Sequence, residues 1–157
     1  MKIIFLDIDG VLNSISYFKS INDIDDPDDR LDPMAVALLN KIIQATDAKI
    51  VISSSWRLGK SITQLQDVFN KHSIIGTIVG LTPDDYNTRG VQIQQWINDC
   101  DFTIDSFIIL DDDNDMCHLN KHLVKTSVKD GLTIDCVHLA ISKLLGDTNI
   151  VSNTQID

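Results

Sequence analysis

The apolar run Lys2-Ile3-Ile4-Phe5-Leu6 ends in Asp7-Ile8-Asp9-Gly10, and that junction constrains the fold more than any other feature of the chain. Four apolar residues without polar alternation describe a short strand covered on both faces, as in parallel sheets whose crossovers lay helices above and below. Two carboxylates at the mouth of such a strand are costly unless that spot needs concentrated negative charge. Divalent-metal binding and nucleophilic attack by a carboxylate are the two chemistries that need it.

The pattern recurs. Lys49–Ile52 predicts a second strand, ending in Ser53-Ser54-Ser55-Trp56-Arg57. Thr77–Leu81 predicts a third, Ser106–Leu110 a fourth that ends in Asp111-Asp112-Asp113-Asn114-Asp115, and His122–Thr126 a fifth. Helical patterns separate them. Asp32-Pro33 starts one, with an N-cap acid and Pro at the first helical position; Val36, Leu39, Ile42 and Ile43 give its apolar face. Ser61-Ile62-Thr63-Gln64 has the form of a capping box. Arg89-Gly90 opens a helix with Ile93, Trp96, Ile97 and Cys100 inward, and a last helix spans about Thr133 to Leu145. Residues 14–31 read as an irregular, acidic flap and 147–157 as a polar tail. The reading is therefore one catalytic domain over residues 1–146. It is a Rossmann-like three-layer α/β fold around a mainly parallel sheet of about five strands. Such sheets bind ligands at the carboxyl ends of their strands, so Asp7/Asp9, Ser53–Ser55 and Asp111–Asp115 are expected on one edge.

A chain of 157 residues is long enough to bury a core, and 43% hydrophobic with 23% charged residues fits a globular protein. The net charge of −10 argues against an unaided basic footprint for nucleic acid or an anionic membrane. Cys100, Cys117 and Cys136 are odd in number and widely spaced, which favours a reduced interior. With no signal peptide or membrane span legible, the default expectation is cytoplasmic.

The acidic junctions supply what phosphoryl transfer requires. One Asp attacks phosphorus, a second moves protons, Mg²⁺ screens the anions, and hydroxyls with a cation (Arg57 or Arg89) hold the non-bridging oxygens. In this order and spacing the chain resembles the haloacid dehalogenase (HAD) superfamily of Mg²⁺-dependent phosphohydrolases. Asp7-Ile8-Asp9-Gly10-Val11 matches the first motif, which implies Asp7 as nucleophile and Asp9 as general acid/base. The Ser cluster matches the second, with Ser54 or Ser53 as phosphate ligand. Arg89 stands where the family places its third-motif cation, and Leu110–Asp115 resembles the fourth motif. The resemblance implies Mg²⁺ held by Asp7, Asp111 and the main-chain carbonyl of Asp9, with Asp115 as the second acid of the fourth motif and Asp112 the rival for either role. Gly10, Ser53, Ser54, Arg57 and Arg89 are the expected substrate contacts.

Finer features are similar to a small HAD subgroup associated with RNA repair: Ser-Ser-Ser-Trp-Arg, Arg89-Gly90 with Trp96, and Leu123–Thr126 followed by Gly131-Leu132-Thr133. The Ser-to-Arg spacing also resembles the phosphatase domain of polynucleotide kinase-phosphatases. Only residues 14–31 and 81–88 could form a cap, and neither is a domain. An open site implies a bulky substrate, such as a polynucleotide 3′-phosphate end, or else a nucleotide, or a protein partner that closes the site.

Other readings compete at each position. A receiver-type signalling module also uses acids and Mg²⁺, but carries its phospho-acceptor on the third strand. A non-hydrolysing phosphate-binding or partner protein would not need the Asp7/Asp9 pair. Lys125 is balanced between a site cation and an ordinary strand-edge Lys. The four His have no metal-ligand spacing, and Trp56 and Trp96 read as packing rather than as base-stacking platforms.

Overall fold

The computed structural model describes residues 1–21, 30–85 and 87–146. Five strands form one all-parallel sheet: β1 (Lys2–Leu6), β2 (Lys49–Ile52), β3 (Ile78–Leu81), β4 (Ser106–Asp111) and β5 (Leu123–Lys125), in the spatial order β3-β2-β1-β4-β5. Five helices accompany them: α1 (Ile15–Ser20), α2 (Pro33–Thr46), α3 (Ile62–Lys71), α4 (Arg89–Asp99) and α5 (Ile134–Leu145). The expected Rossmann-like α/β fold is present.

Alternation along the central strands divides the core into two layers. Ile4 and Leu6 of β1, Ile50 and Ile52 of β2, and Ile108 and Leu110 of β4 join α2, α3 and α5 on one face. Ile3, Phe5, Val51 and Ile109 join Ile93 of α4 and Met116 and Leu119 on the other. The uneven split follows from right-handed crossovers. The chain moves outward from β1 through β2 to β3 with its helices on one face. It then returns from β3 to β4, so α4 must cross on the opposite face. The outward and return paths diverge between β1 and β4, which is where a sheet of this kind opens a crevice.

Helix ends follow the sequence signals. Asp32 accepts a hydrogen bond from the Met34 backbone at 2.9 Å ahead of Pro33. Both halves of the Ser61/Gln64 capping box form. Thr133 caps α5, and Gly146 ends it with a left-handed φ of 76°. The expectation of irregular structure from residue 14 onward is corrected in part. Ser14 caps the six-residue α1, whose first turn is held by Ile15 N–H to the Val128 carbonyl and Ser16 N–H to the Lys129 carbonyl, both at 3.0 Å. The rest of the acidic flap, 22–29, and the tail from 147 lie outside the described residues. Among the described residues no helix is long and apolar enough to cross a membrane.

Candidate active site

Each strand ends in one buried polar residue, and the sheet's hydrogen bonding continues just far enough to align them. Thr82 N–H reaches the Ile52 carbonyl (3.0 Å), Ser53 N–H the Leu6 carbonyl (3.0 Å), Asp7 N–H the Leu110 carbonyl (2.9 Å) and Thr126 N–H the Asp111 carbonyl (3.0 Å). The result is a row across the carboxyl edge: Thr82, Ser53, Asp7, Asp111, Thr126, all buried. The register Leu6↔Leu110 makes Asp7 and Asp111 neighbours although about a hundred residues separate them in the chain.

Carboxylate oxygens of Asp7, Asp111 and Asp112 all lie within 4.8 Å of one another. Asp7 is 7% exposed and Asp111 1%. Burial raises the pKa of Asp7, opposed by the Arg89 charge and by hydrogen bonds from the Ile8 backbone, Ser54 and Arg89. Burial, together with the nearby Asp7 charge, pushes Asp111 up to about 7. Among the described residues Arg89 is the cation that forms ion pairs with these groups: its Nη1 is 2.9 Å from Asp111 Oδ2 and 3.4 Å from Asp7 Oδ1. A single guanidinium against three carboxylates leaves negative charge in excess. Three hard oxygen donors so placed suit Mg²⁺, which would lower the cost of their ionisation.

Two glycines allow this closeness. Gly10 has φ 76°, and a Cβ there would come within 2.6 Å of the Asp112 carboxyl, so only glycine lets the loop after β1 press against that acid. A Cβ at Gly90 would meet the Met116 carbonyl oxygen at 2.3 Å. The head of α4 thereby seats on the loop after β4. Asp115 completes the seat: its Oδ2 accepts from Arg89 N–H (3.2 Å) and its carbonyl from Gly90 N–H (3.1 Å), where Thr88 gives no side-chain cap. Of the two rivals in the fourth motif, Asp112 stands in the carboxylate cluster and Asp115 caps α4.

Asp9 stands apart from the cluster through its side chain. Its carboxylate accepts from Asn13 Nδ2 at 2.8 Å and from the Trp56 indole at 3.0 Å. Asn13 Oδ1 in turn accepts from Gly10 N–H (3.0 Å), which fixes the loop that carries both acids. Beside Asp9 lies an open pocket of about 300 Å³ lined by Asp9, Ser55, Trp56, Leu58 and Lys60. Ser54 hydrogen-bonds toward Asp7 and accepts from Trp56 N–H at 3.3 Å. The Ser53 hydroxyl is fully enclosed and has no hydrogen-bond partner among the described residues.

Arg57 corrects an expectation. As a substrate contact it would need a free N–H, and it has none. Nε donates to the Thr82 carbonyl, Nη1 to the carbonyls of Ser53 and Ser54, and Nη2 to the Pro83 carbonyl and Gln92 Oε1, all between 2.9 and 3.1 Å. The guanidinium ties the turn after β2 to the loop after β3. Lys125 is exposed on β5, and the neighbouring Thr126 hydroxyl donates to the Gly10 carbonyl at 2.7 Å. Asn13, Trp56, Gln92 and Thr126 were not legible as site residues. For Thr126 a signal existed, since it is the first polar residue past an apolar strand, as Asp7 and Ser53 are.

Residues 3–137 match a protein-family model described as the HAD domain in Swiss Army Knife RNA repair proteins. No curated protein matches the chain.

Proposed function

Since the chain belongs to the family of HAD domains found in Swiss Army Knife RNA repair proteins, we propose that it is a Mg²⁺-dependent phosphomonoester hydrolase working through an aspartyl-phosphate. The observation that carries this reading is the convergence of Asp7, Asp111 and Asp112 with Arg89 at the ends of β1 and β4. In this reading Asp7, Asp111 and Asp112 hold the ion with the Asp9 main-chain carbonyl, and the bound ion offsets negative charge between nucleophile and phosphate.

The chain's own residues then divide the work. An Asp7 oxygen attacks phosphorus in line. The bond to the leaving oxygen breaks while the Asp9 carboxyl gives that oxygen a proton. Asp9, now ionised, takes a proton from water as the water oxygen attacks phosphorus, and the Asp7–phosphorus bond breaks to release inorganic phosphate. Arg89 and Ser54 hold the non-bridging oxygens. The hydrogen bonds from Asn13 and Trp56 aim the Asp9 carboxylate. The proposed substrates are nucleotides or polynucleotide phosphate ends, an assignment supported by the description of the family. The domain is proposed to act as one catalytic unit over residues 1–146, in the cytoplasm.

Phosphate release from an aryl phosphate, nucleotides and 3′- and 5′-phosphorylated oligonucleotides, in Mg²⁺ or in chelator, tests the proposal. Turnover is expected only with Mg²⁺, and Asp7→Asn should lower it on the order of 10⁴-fold or more. A folded protein that binds Mg²⁺ and hydrolyses none of these would overturn it.

A further inference from the structure

The carboxylate cluster leaves open what the phosphate is attached to, and the pocket beside Asp9 addresses that. We propose that this pocket receives the terminal nucleoside of a polynucleotide strand, its base against Trp56 and its next phosphodiester at Lys60. The inference rests on the phosphatase reading, because that reading places the leaving oxygen at Asp9, and the leaving group must then extend along the Asp9 side of the site.

What lines that side is specific. Trp56 is bonded to Asp9 through its indole N–H at 3.0 Å, so its ring is fixed next to the departing oxygen. Leu58, 48% exposed, extends the apolar surface. The Lys60 ammonium sits 5.2 Å from the Trp56 ring centroid, and no carboxylate pairs with it among the described residues. The ammonium over the ring supplies local positive charge beside Asp9 in a chain of net charge −10. It offers an anion a partner in the same pocket as Asp9. A nucleotide at a strand end presents what this surface complements: a flat base for stacking and a second phosphate on the same sugar. A small sugar phosphate offers neither, and an aryl phosphate lacks the second anion.

The other tryptophan shows the contrast. Trp96 packs edge-on to Phe5 (5.5 Å) and Phe102 (5.9 Å) and closes over Gly80. Both tryptophans are half-buried and pack against the core, as read from the sequence; they differ in that the exposed part of Trp56 lines the pocket beside Asp9. Ligand-induced fluorescence change can accordingly be assigned by substitution.

The test runs fluorescence titration and steady-state hydrolysis together in Mg²⁺, with a single-stranded oligonucleotide carrying a terminal phosphate (3′ and 5′ separately), a mononucleotide and an aryl phosphate. The oligonucleotide should quench the wild type, and Trp56→Phe should abolish the quench. Trp56→Leu should lower kcat/KM for the oligonucleotide relative to the aryl phosphate by about tenfold or more, mainly through KM. Trp56→Phe, which keeps a stacking face, should retain most of that ratio. Lys60→Gln should reduce the slope of log affinity against log salt by roughly 0.7, one single-strand phosphate contact. Equal losses on both substrates in Trp56→Leu, or an unchanged salt slope in Lys60→Gln, would overturn the proposal while leaving the phosphatase reading intact. Quenching with that salt slope but no turnover of any substrate would uphold the pocket and remove the phosphatase.

Discussion

Two arginines stand at the carboxyl edge of the sheet, and their surroundings give them opposite tasks. Arg57, after β2, faces four main-chain carbonyls and one amide oxygen, and every donor is used. Arg89, at the head of α4, faces the carboxylates of Asp7 and Asp111. Carbonyl partners satisfy a guanidinium without needing anything further. Carboxylate partners in excess leave a site that a cation or a phosphoryl group can still enter. Arg57 is therefore scaffold within a turn whose Ser54 is proposed to serve the site, and the β1–β4 side carries an unbalanced charge that chemistry can use.

Substituting each arginine should separate these roles most sharply. Arg89→Ala is expected to lower phosphatase turnover by roughly 10² to 10³-fold. Arg57→Ala should instead destabilise the fold by about 3 kcal/mol, since it strips donors from several buried acceptors at once. Arg57→Lys should recover little of that, an ammonium lacking the fork that spans both loops. Denaturant unfolding beside kcat measurements reads both. If Arg57→Ala cut turnover at unchanged stability, the division between scaffold and site would be wrong.

The unbalanced side should also show in pH dependence. The folded pKa of Asp111 is raised to about 7, above the value near 3.9 of an unfolded Asp. Between those two values the folded state binds the proton that the unfolded state releases, so stability falls as pH rises from about 4 to 7. In chelator the melting temperature should decline across that window, by a few kcal/mol equivalent at most, and Asp111→Asn should flatten the slope. Added Mg²⁺ should stabilise more at pH 8 than at pH 5, because it competes with the proton for the same oxygens. Melting curves with equal Mg²⁺ effects at both pH values would break the assignment of Asp111 to the ion.

Gly10→Ala probes the packing that lets the charges crowd. A Cβ meets the Asp112 carboxyl at 2.6 Å on backbone with φ 76°, so a loss of about 1–2 kcal/mol is expected. Mg²⁺ affinity should fall with it, because Asp112 must move. Calorimetric Mg²⁺ titration of this variant distinguishes displaced Asp112 from simple backbone strain, which would leave affinity as it was.

How much of this was legible in sequence depended on whether the partners are local. The strands could be read because strands buried on both faces appear as apolar runs, and α2, α3 and α5 because their caps lie in adjacent residues. Asp7 and Asp111 could be read as a pair because both stand where an apolar run stops. Arg57 could not, since its acceptors at Thr82, Pro83 and Gln92 come from a loop and a helix at least 25 residues away. The short α1 escaped because its six residues bury no side chain, and so it leaves no stripe to recognise. Trp56 has no periodicity that separates a rim position from a core one. Its meaning comes from Asp9, 47 residues earlier in the chain.

The smallest expected effect concerns the register of the serine run, which sequence left open between Ser53 and Ser54. The Ser53 hydroxyl is fully enclosed and has no partner among the described residues, so Ser53→Ala removes an unpaired buried polar atom. It should leave stability unchanged or raise it by up to about 1 kcal/mol, with turnover intact. Ser54 instead hydrogen-bonds toward Asp7 and receives the Trp56 N–H, so Ser54→Ala should reduce turnover several-fold while changing stability little. Paired kinetics and unfolding of the two single variants decide it. Turnover lost in Ser53→Ala and kept in Ser54→Ala would move the phosphate contact one residue back. The boundary between scaffold and chemistry would then run through the first residue after β2 and not the second.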